Sequence, residues 1–103
     1  MPNVYIPNIA SHDYEDAKRF GTLVPLTTGN LDLGNVSKIY RAMEPILCCS
    51  SPDDYILISG ASVVNVIATA IFSMKHNKLN LLIYRRTGKY VERNLNLNKG
   101  ESK

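Results

Sequence analysis

Apolar and polar residues fall along this chain in blocks whose periods separate strands from helices. Val4-Tyr5-Ile6 is a short apolar stretch halted by Pro7-Asn8, and it predicts a first strand. Asp13 fits an N-cap, Glu15 and Asp16 follow in the first turn, and Lys18 and Arg19 occupy the last. Those charges match a helix dipole, so residues 14–20 read as a short helix, with Gly21 suited to the position after its end. Residues 22–27, TLVPLT, read as a second strand; Pro25 lacks an N–H and assigns it to an edge or a bulge. Asn35 can cap a helix from Val36, where Ile39, Met43 and Leu47 recur every four residues along one face. Pro45 should kink or split that helix.

Residues 55–59, YILIS, form a nearly continuous apolar run, the pattern of a central strand covered on both faces. Ser62 can cap the next helix and Asn77 can end it. That helix, SVVNVIATAIFSMKH, is apolar nearly all round apart from a line of Asn65, Thr69 and Ser73. It is therefore expected to be buried in the fold or at a subunit interface. Residues 79–84 predict a fourth strand and residues 90–97 a fifth, with Thr87-Gly88 turning between them as a hairpin. Strands alternating with helices predict an α/β fold: a small Rossmann-like three-layer sandwich, with a mainly parallel sheet of four or five strands and a C-terminal antiparallel hairpin. Residues 1–97 are expected to be one domain and residues 98–103 a polar tail.

Charge adds an asymmetry that the periods do not show. Residues 1–54 hold seven acids and four bases, whereas residues 55–103 hold eight bases and two acids. Such a split suits either an anionic partner or two halves that attract each other. The clearest basic cluster is Arg85-Arg86, with Lys89 and Arg93 nearby. The two cysteines, Cys48 and Cys49, are adjacent and lack metal-ligand spacing, so they read as small buried residues of a helix. No apolar run reaches the roughly 18 residues of a membrane span. The opening MPNVYIPN has neither region of a signal peptide, so a cytoplasmic setting is expected.

Candidate chemistry follows from the fold class, because open parallel sheets bind ligands outside the carboxyl ends of their strands. Asn8, Ser11, His12, Asp13 and Tyr14 follow the first strand, and Thr27, Thr28, Gly29 and Asn30 the second. Ser59, Gly60, Ala61 and Ser62 follow the third, and Arg85 and Arg86 the fourth. Backbone N–H groups at helix starts favour anions, and arginine grips phosphate with two bonds. The expected ligand is a nucleotide-like or other anionic small molecule held by Asn8, Ser11, His12, Tyr14, Thr27, Thr28, Asn30, Ser59, Gly60, Ser62, Arg85 and Arg86. Tyr5, Tyr14, Tyr40, Tyr84 or Tyr90 could stack on a base if one faces this rim.

Other chemistry has less support. SGAS lacks the lysine of a P-loop, and TTGN has one glycine where a dinucleotide fingerprint needs more. His12 could act as base to Ser59, Ser62 or Thr27, but no orienting acid is placed for it, and a non-enzymatic binder is the stronger expectation. Two histidines without acids at ligand spacing predict no metal site, and no cofactor is expected. No helix-turn-helix, zinc finger or aromatic RNP-like strand is present, which argues against nucleic acid as partner.

The frame IPN…HDY..A..FG.LV.LT.G, then SPDDYILISG, then LNLLIY…KYVER resembles small proteins encoded by bacteriophages and prophages. The resemblance spans residues 4–97 and transfers no catalytic or binding residue. It implies a short accessory protein in the cytoplasm of an infected bacterium, acting against host defence either by capturing a nucleotide signal or by inhibiting a host protein. The second alternative would use the acidic segment 13–20 or the apolar helix 62–76. Self-association is expected under both readings, since a small sheet has little with which to cover that helix.

Overall fold

A computed structural model describes residues 1–9 and 13–97 of the chain. Strands β1 (Asn3–Ile6), β2 (Thr22–Pro25), β3 (Tyr55–Ile58), β4 (Lys78–Tyr84) and β5 (Tyr90–Asn96) form one sheet in the order β2-β1-β3-β4-β5. The first four are parallel and β5 runs antiparallel to β4. A 3-10 helix (Glu15–Arg19) joins β1 to β2, α1 (Val36–Leu47) joins β2 to β3, and α2 (Ser62–His76) joins β3 to β4. This is the α/β architecture with a C-terminal hairpin that the alternating periods predict.

The topology dictates which face each helix covers. The chain steps one way from β1 to β2, then reverses to β3 and on to β4. With right-handed crossovers, α1 and α2 fall on one face and the 3-10 helix on the other. Two buried clusters result. Tyr5 and Ile56 pack beneath Ile39, Met43 and Leu47 of α1 and Val64, Ala68 and Phe72 of α2. On the opposite face Val4, Ile6, Leu57, Leu82 and Tyr90 meet Tyr14 and Ala17. Neighbours such as Ile56 and Leu57 thus point to opposite sides and are both buried, which is why β3 reads as an unbroken apolar run.

Local departures from expectation each have a physical reason. The first helix is a five-residue 3-10 turn; the Asp13 side chain still serves its start by accepting from the Glu15 N–H at 2.9 Å. Gly21 is not in a left-handed conformation. A Cβ there would collide with the carbonyl oxygen of Pro2, whose oxygen accepts from the Thr22 N–H at 2.9 Å, so glycine is required for close approach. Asn35 caps α1 as expected, accepting from the Lys38 N–H at 3.2 Å. Pro45 does not split α1, because it lies in the final turn on the exposed side, where the helix continues only to Leu47.

Ser62 is the first helical residue of α2 rather than its cap, and the preceding Ala61 offers no side-chain bond. Asn65 takes over that task from within the helix. Its amide nitrogen donates to the carbonyls of Ser59 (2.9 Å) and Ala61 (3.1 Å), and its oxygen accepts from the Ser59 N–H (3.2 Å). Asn77 ends α2 in the left-handed region at φ 57°. Cys48 and Cys49 are exposed, against the expectation of burial. They fall one and two positions past the buried 39-43-47 stripe, just beyond the helix end.

The two charge halves do not join through ion pairs among the described residues. Both salt bridges, Lys18 to Glu15 at 3.0 Å and Arg19 to Asp16 at 3.2 Å, are local to the 3-10 helix. No described helix is long and apolar enough to cross a membrane. The expected tail, residues 98–103, lies outside the described residues.

Candidate functional site

Because β1 to β4 are parallel, the four segments that follow them emerge at one rim of the sheet. Their chemistry there is not shared evenly. A cavity of about 290 Å³ opens at the carboxyl ends of β3 and β4, lined by Asp13, Ile58, Ser59, Gly60, Tyr84 and Tyr90.

The hairpin supplies the aromatic wall. Tyr84 and Tyr90 are register partners at the end of β4 and the start of β5, with ring centroids 5.2 Å apart in an edge-to-face arrangement. The turn between them closes through the Arg85 N–H donating to the Lys89 carbonyl at 2.9 Å, with Gly88 at φ 89°. Tyr90 is buried, and that burial pushes its phenol above the usual value of 10.0, reinforced by Tyr14, Tyr84, Asp13 and Asp16 nearby. It therefore remains a neutral hydroxyl at physiological pH, able to donate and accept.

The β3–α2 connection supplies the polar floor. Asn65 holds the main chain of Ser59 on both sides, and Gly60 turns the chain at φ 72°, which a glycine adopts without strain. The Ser59 hydroxyl oxygen is buried and has no hydrogen-bond partner among the described residues. An unpaired buried hydroxyl costs about 1–3 kcal/mol, and Ser59 carries that cost in a residue that lines the cavity. Asp13 adds a carboxylate at the mouth, with its Oδ1 engaged by the Glu15 N–H.

The other expected site residues distribute differently. Asn8 and Thr27 bond to each other: the Thr27 hydroxyl lies 2.9 Å from Asn8 Oδ1 and donates to the Pro7 carbonyl at 2.7 Å. Asn8 also donates to the Gly29 carbonyl at 3.1 Å. The Ile9 N–H donates to the Thr27 carbonyl, and Ile9 bridges Thr28, so these residues extend the β1–β2 pairing past the strand ends. Asn30 is exposed in the long loop before α1, and Ser62 is exposed at the start of α2. Tyr14 is buried in the cluster that includes Tyr90. Ser11 and His12 lie outside the described residues.

Arg85 and Arg86 are exposed on the hairpin turn, directly after Tyr84, and do not line the cavity. Three inter-strand steps of about 4.8 Å separate β2 from β4, so the Thr27 and Arg85 segments are roughly 14 Å apart. The rim thus has two chemistries: an Asn8–Thr27 lock on one side and the Ser59–Tyr84–Tyr90 cavity on the other. Of the five tyrosines considered for stacking, Tyr84 and Tyr90 face the rim. Tyr5 is buried, 3.4 Å from the Asp54 carboxylate, and Tyr40 lies on the outer face of α1. Ile58 had no signal in the sequence beyond its place at the end of β3. Among the described residues no group of His, Cys, Asp and Glu could hold a metal ion.

A family model described as "Phage Pam3 gp32-like protein" matches residues 2–97. No curated protein and no solved structure matches the chain.

Proposed function

The chain belongs to the phage Pam3 gp32-like family, and from that premise we propose a phage accessory protein that holds a nucleoside- or nucleotide-like molecule in the rim cavity without turning it over. The carrying observation is the buried Ser59 hydroxyl, without a hydrogen-bond partner among the described residues, in a cavity walled by Tyr84 and Tyr90. A flat heterocycle suits the aromatic wall, and its polar edge suits Ser59 and Asp13. The walls carry a carboxylate and two phenols, so the anionic part of the ligand belongs outside, toward Arg85 and Arg86 on the adjoining turn. At about 290 Å³ the cavity admits one base or nucleoside. That is near the lower limit of ligand pockets, which run from roughly 300 to 1,000 Å³. Sequestering such a molecule in the host cytoplasm would counter a nucleotide-based defence signal.

The test is differential scanning fluorimetry and calorimetry with nucleosides, nucleoside monophosphates and cyclic mononucleotides. Binding raises the melting temperature in proportion to ligand excess over Kd. Ser59→Ala and Tyr84→Ala should each weaken binding at least tenfold. Arg85→Ala with Arg86→Ala should weaken phosphorylated ligands but leave nucleosides unchanged, and Lys103→Ala should change neither. Absence of any shift at millimolar ligand sinks the proposal.

A second reading, an inhibitor of a host protein with no small ligand, has its own observation. The acidic segment is largely neutralised by its internal ion pairs, but α1 and α2 expose an apolar outer face. Capture of one host protein, lost on Val66→Glu, would support it.

A further inference from the structure

Two thiols stand side by side where α1 ends. Tyr40, Glu44 and Cys48 recur every four residues, and Cys48 keeps helical geometry at φ −65° and ψ −18°. Its side chain therefore continues the row that faces α2. With Ile71, Met74 and Lys75 of α2, these residues line a cavity of about 260 Å³. Because α1 leads to the start of β3, Cys48 lies at the end of the sheet opposite the rim. Cys48 Sγ is 3.9 Å from Cys49 Sγ and donates to the Pro45 carbonyl at 3.1 Å, and both cysteines are exposed. Met74, 84% exposed, brings a thioether to the same cavity as Cys48.

We infer that Cys48, Cys49 and Met74 form a binding site for monovalent copper. Spacing is the first reason. First-row metal–thiolate bonds are about 2.3 Å long, so two thiolates bound at about 120° lie roughly 4.0 Å apart. The 3.9 Å between these sulfurs, a thiol–thiol hydrogen bond while both are protonated, already matches that bite. Donor type is the second. Thiolate and thioether sulfurs are soft and select Cu(I). His, Cys, Asp and Glu supply no group of three or more among the described residues, so the four-ligand set of structural zinc is not provided. Charge is the third. Cu(I) and two thiols give a bis(thiolate) complex with one net negative charge and two released protons, and copper keeps its oxidation state throughout. The Lys75 ammonium on the cavity wall offsets that charge. Glu44, on the same wall, is a hard oxygen donor and stays outside the coordination.

The test titrates the reduced full chain with Cu(I), without oxygen, in competition with the colorimetric chelator bicinchoninate. One Cu(I) should bind per chain, and X-ray absorption should show three sulfur neighbours. Zn(II) should bind at least about a hundredfold more weakly. Cys48→Ser and Cys49→Ser should each weaken Cu(I) binding at least about a hundredfold, and Met74→Leu about tenfold with two sulfur neighbours left. Glu44→Gln should not weaken it. Both cysteines and Met74 are exposed, so these variants should keep a cooperative melt. A chain that retains no more copper than the Cys48→Ser, Cys49→Ser double variant overturns the site. Zinc binding as tight as copper binding overturns it too, as does a Met74→Leu variant that keeps three sulfur neighbours. One copper per two chains would place the ion between copies and would overturn the single-chain site.

Discussion

The Asp16 carboxylate accepts the backbone N–H of Tyr90 at 2.6 Å, across 74 positions of sequence. From the last turn of the same short helix, Arg19 donates to the Tyr90 carbonyl, also at 2.6 Å. The pair holds both main-chain groups of Tyr90 on the last strand of the sheet, where an unpaired edge would otherwise be open. It also fixes the residue that forms one wall of the rim cavity. The acidic and basic ends of the 3-10 helix therefore do more than match a dipole.

The bond to Tyr90, followed by Arg19, holds the Asp16 carboxyl below its usual value of 3.8. A depressed carboxyl contributes stability that is present above its unfolded value and lost as pH falls through the folded one. Asp16→Asn should lower the melting temperature at pH 7. The gap between wild type and variant should shrink as pH falls below about 4. Melting curves from pH 7 to pH 2 check this; a constant gap would refute it.

His76 behaves in the opposite charge sense. Its ring nitrogen Nε2 lies 2.8 Å from the Ser50 hydroxyl, and its ring packs on Phe72 with centroids 4.6 Å apart. Ser50 gives its proton to the Leu47 carbonyl at 2.6 Å, so Nε2 is the donor to Ser50. Burial, then Lys75, pushes the His76 value below 6.5, with Asp54 opposing. The folded state thus favours the neutral ring. Its stability contribution is full above about pH 6.5 and is lost as pH falls toward the depressed folded value. His76→Gln should remove the fall in melting temperature between pH 7.5 and pH 5.5 that the wild type shows.

Asp54 is a buried carboxylate tying the start of β1 to the turn before β3. It accepts from the N–H groups of Asn3 at 2.9 Å and Ser51 at 2.8 Å. Hydrogen bonds to charged groups are worth about 1.5–3 kcal/mol, and removing the acceptor strands two donors. Asp54→Ala should cost about 3 kcal/mol in urea unfolding, with Asp54→Asn costing less because one oxygen remains.

Gly21 and Gly34 separate two reasons for a glycine. A Cβ at Gly21 meets the Pro2 backbone, which cannot yield without breaking the start of β1, whereas the nearest atom to a Cβ at Gly34 is Asp32 Oδ1 at 3.5 Å. Gly21→Ala should destabilise by at least about 2 kcal/mol. Gly34→Ala should lie within about 0.5 kcal/mol of wild type. Equal denaturation midpoints for the two variants would contradict the close-approach role.

Much of the fold is legible in the order of residues alone. The unbroken YILI run, the 39-43-47 stripe, the Asn35 cap, the Asn77 stop and the Thr87-Gly88 turn are local signals, and each produces the element it indicates. Where local signals mislead, the cause is most often a partner distant in sequence. Gly21 answers to Pro2, and the acidic turn answers to Tyr90. Ser62 yields its cap to Asn65 acting on Ser59, a substitution within one loop and helix start. Cys48 and Cys49 follow the helix but fall off its buried stripe, which their apolar character alone could not place.

The same division runs through the candidate site. By itself the sequence determined that four small polar or basic segments follow four strands, because strand periods and turn residues are encoded within a few positions of one another. Only the tertiary structure decided which of them meet. Strand order places β3 and β4 side by side and β2 two strands from β3, so Asn8 and Thr27 spend their polar groups on each other and on the Pro7 and Gly29 carbonyls, while Ser59 is left with a buried hydroxyl beside Tyr84 and Tyr90. That outcome depends on the hand of the crossovers and on long-range packing, neither of which any short stretch of residues carries.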